Sequence, residues 1–161
     1  MEAIQIQELT DPYRGWAARL LEEAWGSTRI VTRGRVHQAE ALPGLIALRG
    51  DEPVGLLTYQ IAGEACEIVT LNSQVEGIGV GSALIEALVE RARAAGCARL
   101  WLITTNDNLP ALRFYQKRGF RLVAVYPDAL TESRRLKPEI PPVGLDGIPL
   151  RDEIELERPL R

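Results

Sequence analysis

The sequence predicts a mixed α/β fold: a central mixed β-sheet of about seven strands with helices on both faces. Three observations carry that reading. Leu45–Leu48, Val54–Gln60 and Cys66–Leu71 are apolar runs joined by tight turns, which is an antiparallel meander. A turn with glycine at Gly77, Gly79 and Gly81 then opens an amphipathic helix. Beyond the helix, Arg99–Thr105 is a nearly all-apolar run, so strand, helix and strand form a parallel βαβ unit with a right-handed crossover.

Taken in order, Ile4, Ile6 and Leu9 mark a first strand. Asp11-Pro12 reads as a helix start, with Asp11 as N-cap and Pro12 at the first helical position. The helix runs to about Trp25, places Trp16, Leu20, Leu21 and Ala24 on one face, and ends at Gly26. Residues 27–43 read as irregular. The second long helix, 79–95, repeats apolar residues at Val80, Ala83, Leu84, Ala87 and Leu88, the spacing of a half-buried helix, with Gly96 after its end. Arg99–Thr105 is expected to be buried on both faces. A short helix from Leu109 to about Arg118 stops at Gly119, and Phe120–Tyr126 is the next strand. Asp128–Leu136 has room for a helical turn or two before a proline-rich stretch. Ile154 and Leu156 alternate with Glu153, Glu155 and Glu157, a last strand with one wet face. The chain is read as one domain, 1–161, in which 127–150 is a long flap between the last two strands; such length points to function or mobility.

At 161 residues the chain has enough apolar material for one substantial core, and 46% hydrophobic with 25% charged residues is an ordinary globular composition. A formal charge of −3 argues against a nucleic-acid partner, which needs a basic face. With only Cys66, Cys97 and His37 as soft ligands, no metal site is expected. Two buried, reduced thiols suit a cytoplasmic location. No stretch reads as a leader or as a membrane span, so no membrane partner is expected.

The glycine turn is the chemically informative feature. Glycine accepts positive φ and lets a ligand approach the backbone, and the first helical N–H groups point outward with the positive end of the helix dipole behind them. Such a turn holds a phosphate. It is not a dinucleotide fingerprint: the sixth residue from Gly77 is Ser82 and from Gly79 is Leu84, and no Gly-Lys-Ser/Thr follows.

Two segments together resemble the GNAT superfamily of acyl-CoA-dependent N-acetyltransferases. Val69-Thr70-Leu71 through Glu76-Gly77-Ile78-Gly79-Val80-Gly81-Ser82-Ala83-Leu84 is similar to that family's Arg/Gln-x-x-Gly-x-Gly/Ala segment and the helix after it. Asn108-Leu109-Pro110-Ala111-Leu112-Arg113-Phe114-Tyr115-Gln116-Lys117-Arg118-Gly119-Phe120 is similar to its Asn-x-x-Ala-x-x-Phe/Leu-Tyr-x-x-x-Gly-Phe segment. The likeness is close over 66–126 and looser before it. One position departs: Glu76 stands where the family has Arg or Gln, with Gln74 two residues earlier, and a carboxylate beside a diphosphate is unfavourable.

The resemblance implies acetyl-CoA as co-substrate, held where strands 66–71 and 99–105 splay apart. Backbone N–H groups near Val69 and Leu71 are then expected to hold the pantetheine arm. The Gly77 turn and the amides of Gly79, Val80, Gly81 and Ser82 would take the diphosphate, and Asn108 would bond the pantetheine. A small-molecule or peptide amine would attack the thioester directly, with Tyr115 as general acid and Glu67 as the best-placed general base acting through water. Spacing alone makes Tyr115 a core aromatic beside Ala111 and Leu112, and the alternation of Glu67 with Ile68 and Val69 also permits a plain solvent-facing role. Glu64 and the Glu153, Glu155, Glu157 row compete as base, although the row reads more simply as the wet face of a strand. His37 is either a base or, as is usual for a lone loop histidine, a surface residue. Arg29, Arg33, Arg35, Arg134 and Arg135 either select an anionic acceptor or are scattered charge. Dimerisation is common in the family. The alternative function is a non-catalytic acyl-CoA-binding module with the same cleft.

Overall fold

The computed structural model describes residues 3–161. In chain order its strands are β1 (Ile4–Glu8), β2 (Arg29–Thr32), β3 (Arg35–Gln38), β4 (Gly44–Arg49), β5 (Glu52–Ala62), β6 (Ala65–Ser73), β7 (Arg99–Thr105), β8 (Arg121–Tyr126) and β9 (Glu153–Pro159). The helices are α1 (Asp11–Trp25), α2 (Val80–Ala94), α3 (Leu109–Gln116) and α4 (Ala129–Leu136). Seven strands form one sheet in the order β1-β4-β5-β6-β7-β9-β8, and β2 pairs with β3 in a separate hairpin. Within the large sheet β6 and β7 run parallel, as the βαβ reading requires, and the other neighbours are antiparallel.

Helices cover both faces, which is why β4, β5 and β6 are apolar nearly residue by residue. On one face Val80, Leu84, Ile85, Leu88 and Val89 of α2 pack on Leu45, Leu57, Ile68 and Leu100. On the other, Ala17, Leu20 and Leu21 of α1 pack on Leu56 and Val69. Consecutive residues such as Leu56 and Leu57 thus serve opposite cores, as the strand's two-residue period dictates. Gly55 sits where α2 crosses closest: a Cβ there would lie 2.4 Å from Val80 Cγ1.

Four expectations are corrected. The stretch 27–43 is not irregular but holds the β2–β3 hairpin, with Ile30 opposite His37. Its two-residue turn, Arg33-Gly34, has positive φ at both positions (49° and 73°), the geometry for which Asn-Gly is the usual sequence signal. The N-cap of α1 is Thr10 rather than Asp11, and Pro12 is the second helical residue. β7 is buried on one face only: Leu100, Leu102 and Thr104 point into the core, while Trp101 and Ile103 are half-buried. The glutamates of β9 are no solvent face, since Glu153 is 2% exposed and Glu155 and Glu157 both bind Arg99.

The 127–150 excursion is tied down. The Asn106 side chain donates to the Pro149 carbonyl and accepts from the Arg151 and Asp152 N–H groups. Asp107, itself buried, accepts from the Leu145 N–H at 2.9 Å. Lys137, also buried, donates to the Trp25 carbonyl at 3.1 Å and so links the end of α4 to the end of α1.

Replacing Gly55 by alanine forces its methyl into Val80 between two closely packed elements, and overpacking of this kind costs about 1–3 kcal/mol. Urea denaturation of Gly55→Ala is expected to show that loss of stability with an unchanged m-value; an unchanged midpoint would mean that α2 does not cross the sheet so closely.

Candidate functional site

Two irregularities of β6 create the opening in the sheet. Thr58 pairs with Thr70 and Tyr59 with Ile68, so Val69 is an extra residue and β6 bulges there. The ladder to β7 runs only through Ala65, Cys66 and Glu67, the last opposite Trp101. Past that point the two strands part. A cleft of about 600 Å³ lies along the continuation of β6 and brings together Leu71, Gly77, Gly79, Val80, Gly81, Ser82 and Tyr115. Val69, Glu67 and Asn108 are not on its wall.

The start of α2 forms one side of this cleft. Gly79 is the N-cap, at φ 79°, and no side chain caps the helix. The first amide with a helical partner is that of Ala83, bonded to the Gly79 carbonyl at 2.9 Å. The N–H groups of Val80, Gly81 and Ser82 therefore carry no intrahelical bond, and the first turn holds no acidic residue. Gly81 is required by packing: a Cβ there would come within 2.9 Å of Phe114 Cζ. This uncapped row of donors at the positive end of a 15-residue helix suits a diphosphate. Glu76 is exposed at the cleft.

Helix α3 forms the facing wall. Asn108 is its N-cap, with the side-chain oxygen accepting from the Ala111 N–H at 3.2 Å. Tyr115 stacks edge-on between Phe114 and Phe120, with ring centroids 5.2 and 5.3 Å away, and burial pushes its phenol well above the usual value. Arg118, which sequence reasoning did not single out, donates to Ser82 Oγ at 2.7 Å and lies 3.7 Å over the Phe114 ring. It occupies one of the variable positions between Tyr115 and Gly119, so no motif marks it.

A buried polar cluster lies where β6 meets the β2–β3 hairpin. Glu67 is 2% exposed and accepts from the Thr32 hydroxyl at 2.8 Å through Oε2; its Oε1 is buried with no hydrogen-bond partner among the described residues. His37 is 5% exposed, its Nε2 lying 2.8 Å from Thr32 Oγ1 and 3.7 Å from Glu67 Oε1. It is a core histidine, neither a loop nor a surface one. Burial raises the Glu67 carboxyl above the ordinary range and lowers the His37 imidazole. Burial also pushes the Cys66 thiol up to about 12, which leaves it an inert apolar group.

The remaining candidates are otherwise engaged. Glu153 accepts from the backbone and the guanidinium of Arg33, whose Cζ lies 3.4 Å from the centroid of the Tyr126 ring, and Tyr126 donates to Glu155 at 2.8 Å. Glu64 is exposed and pairs with Arg161. Arg29 and Arg134 bond main-chain carbonyls of the 127–150 segment, Arg135 pairs with Glu132, and Arg35 reaches Gln60, so the arginines do not converge on one anion site.

The model of the acetyltransferase (GNAT) family matches residues 5–120. Among curated proteins, the chain is 45% identical over 131 residues to the uncharacterised protein YdhI of Bacillus subtilis, covering 81% of this chain and 82% of that one. Among solved structures, the IAA acetyltransferase from Bacillus cereus superposes with a TM-score of 0.74 at 21% identity, over 98% of this chain and 99% of the other. A GNAT family acetyltransferase from Elizabethkingia anophelis with acetyl-CoA bound gives 0.71 at 19% identity, over 99% of both chains. At such identities these two are likenesses of fold.

The buried carboxyl of Glu67 gives a stability test. Its folded-state value lies above its unfolded one, so its favourable contribution is complete only below about pH 4, and is lost as pH rises through the folded value. Glu67→Gln is therefore expected to melt above the wild type at pH 8, with the difference closing toward pH 4. A difference that is the same at both pH values would mean that the side chain is not buried as described.

Proposed function

This chain belongs to the acetyltransferase (GNAT) family, and from that premise we propose that it moves an acetyl group from acetyl-CoA to a primary amine by direct attack, with Tyr115 as general acid. The observation that carries this reading is the row of uncapped N–H groups at Val80, Gly81 and Ser82, which opens into the same cleft as Tyr115. These amides take the diphosphate. The pantetheine arm runs along β6 past Leu71 toward the Val69 bulge, where no strand of the sheet pairs on the β7 side. Asn108, the N-cap of α3, is the residue expected to bond that arm, although it is off the cleft wall.

The chemistry asks for three things. The acceptor nitrogen must be neutral, and Glu67, with an unpartnered oxygen and a raised carboxyl value, is the group that relieves an ammonium of its proton through intervening water. As the C–N bond forms, charge develops on the thioester oxygen, and a backbone N–H at the bulge stabilises it by about 3–4 kcal/mol. The C–S bond then breaks, and the Tyr115 hydroxyl protonates the sulfur. The second proton shed by the nitrogen restores the phenol through solvent, so the products are the amide and the free thiol.

Thiol release from acetyl-CoA, followed across a panel of amines, tests the reading. Tyr115→Phe is expected to lower kcat by roughly 10²- to 10⁴-fold, the usual worth of a general acid, with little change in KM for acetyl-CoA. Full turnover in that variant would remove Tyr115 from the role. Tight CoA binding with no transfer to any amine would favour a binding module instead.

A further inference from the structure

The geometry behind Glu67 limits the possible order of its protons. A threonine hydroxyl has one hydrogen to give. Thr32 Oγ1 lies 2.8 Å from Glu67 Oε2, an acceptor, and 2.8 Å from His37 Nε2. If the hydroxyl hydrogen goes to the carboxylate, the imidazole must be the donor on the other side.

We propose that Thr32 and His37 are positioning residues for Glu67: the His37 Nε2–H donates to the Thr32 hydroxyl, the hydroxyl donates to Glu67 Oε2, and Oε1 is thereby left as the oxygen without a partner, the one that takes up the amine's proton through water. The proposal rests on the reading of Glu67 as the general base. It explains why a carboxylate oxygen is buried without a partner next to a histidine: at 3.7 Å the Nε2–H is turned to Thr32 and not to Oε1. It also gives the β2–β3 hairpin a task, because Thr32 and His37 stand on its two strands and the Arg33–Glu153 contact at its tip fastens it to β9.

The charged and polar groups around the cluster act in both directions. Arg35 from β3 lowers both the His37 imidazole and the Glu67 carboxyl, while Glu153 and Glu155 from β9 raise the carboxyl. The Gln60 side chain from β5 raises the imidazole by hydrogen bonding, opposing burial, and its oxygen also accepts from Arg35. The Thr32 hydroxyl pulls Glu67 down, opposing burial. Loss of that hydroxyl therefore raises the carboxyl further and moves the acidic limb of the kcat–pH profile upward.

His37 is the only histidine in the chain, so one imidazole appears in the spectrum of the ¹⁵N-labelled protein. Long-range ¹H–¹⁵N correlation on the wild type at pH 7.5 is expected to find Nε2 protonated and Nδ1 bare, a preference kept in Thr32→Ser and lost in Thr32→Val. In the kinetic arm, Thr32→Val and His37→Phe are expected to shift the acidic limb of kcat upward by roughly one pH unit, the scale of one hydrogen bond to a carboxylate. His37→Gln and Thr32→Ser are expected to restore it, and KM for acetyl-CoA stays unchanged throughout. A wild-type ring protonated on Nδ1, alone or together with Nε2, overturns the proposal without any variant having to fold. So does an unmoved limb in Thr32→Val and His37→Phe while Glu67→Gln is crippled. Full turnover in Glu67→Gln is a different result: it removes the general-base reading, and the tautomer measurement stands apart from it.

Discussion

Everything at this site follows from the short meeting of β6 and β7. Two parallel strands that join across only three residue pairs leave one side of β6 without a partner for the rest of its length. A backbone edge inside a sheet is costly to leave unpaired, because each buried N–H and C=O needs a partner. Here the edge faces a cleft rather than a core, and the bulge at Val69 turns the strand so that the opening widens. The start of α2 lies on one side of the opening and α3 on the other. Their separation is set by the contact between Gly81 and the Phe114 ring, which a single methyl would disrupt.

Two different electrostatic solutions lie along β6, and only one of them opens into the cleft. At the α2 start the positive charge is spread over main-chain amides, carries no side chain, and stays open to the cleft. Around Glu67 the charge is a single buried carboxylate held by Thr32 and shielded by the β2–β3 hairpin. The first arrangement suits binding an anion that arrives with its own solvent shell. The second keeps a carboxyl above its ordinary range. The hairpin is held by Arg33, whose positive φ, backbone bond to Glu153 and seat over Tyr126 all belong to the same turn.

Much of the architecture was legible because it follows from period and punctuation. The meander, the βαβ unit and the two helices of the cleft walls announce themselves through apolar spacing and through Gly26, Gly79, Gly96 and Gly119, all of which adopt positive φ. The β2–β3 hairpin did not, for two reasons. Its strands are four residues each, and its turn uses arginine where asparagine or glycine is the usual signal, with tertiary contacts to Glu153 sustaining the conformation. The same blindness hid the Glu67–Thr32–His37 cluster, whose members are far apart in sequence. The β9 glutamates misled in the other direction. Alternation identifies a face but not its occupant, and Arg99, Arg33 and Tyr126 cover that face. Arg118 was invisible because its partners, Ser82 and the Phe114 ring, come from two separate segments.

The central claim is that main-chain N–H groups at the start of α2 clasp the diphosphate of acetyl-CoA. Backbone ¹H–¹⁵N correlation spectra recorded while CoA is added to the ¹⁵N-labelled protein test it at the atoms concerned. The account predicts that the amides of Val80, Gly81 and Ser82 shift together, saturate with a single affinity, and move far less when CoA is replaced by pantetheine, which lacks the diphosphate. Amides at the α2 start that stay still while CoA binds elsewhere, or that respond equally to pantetheine, would contradict it.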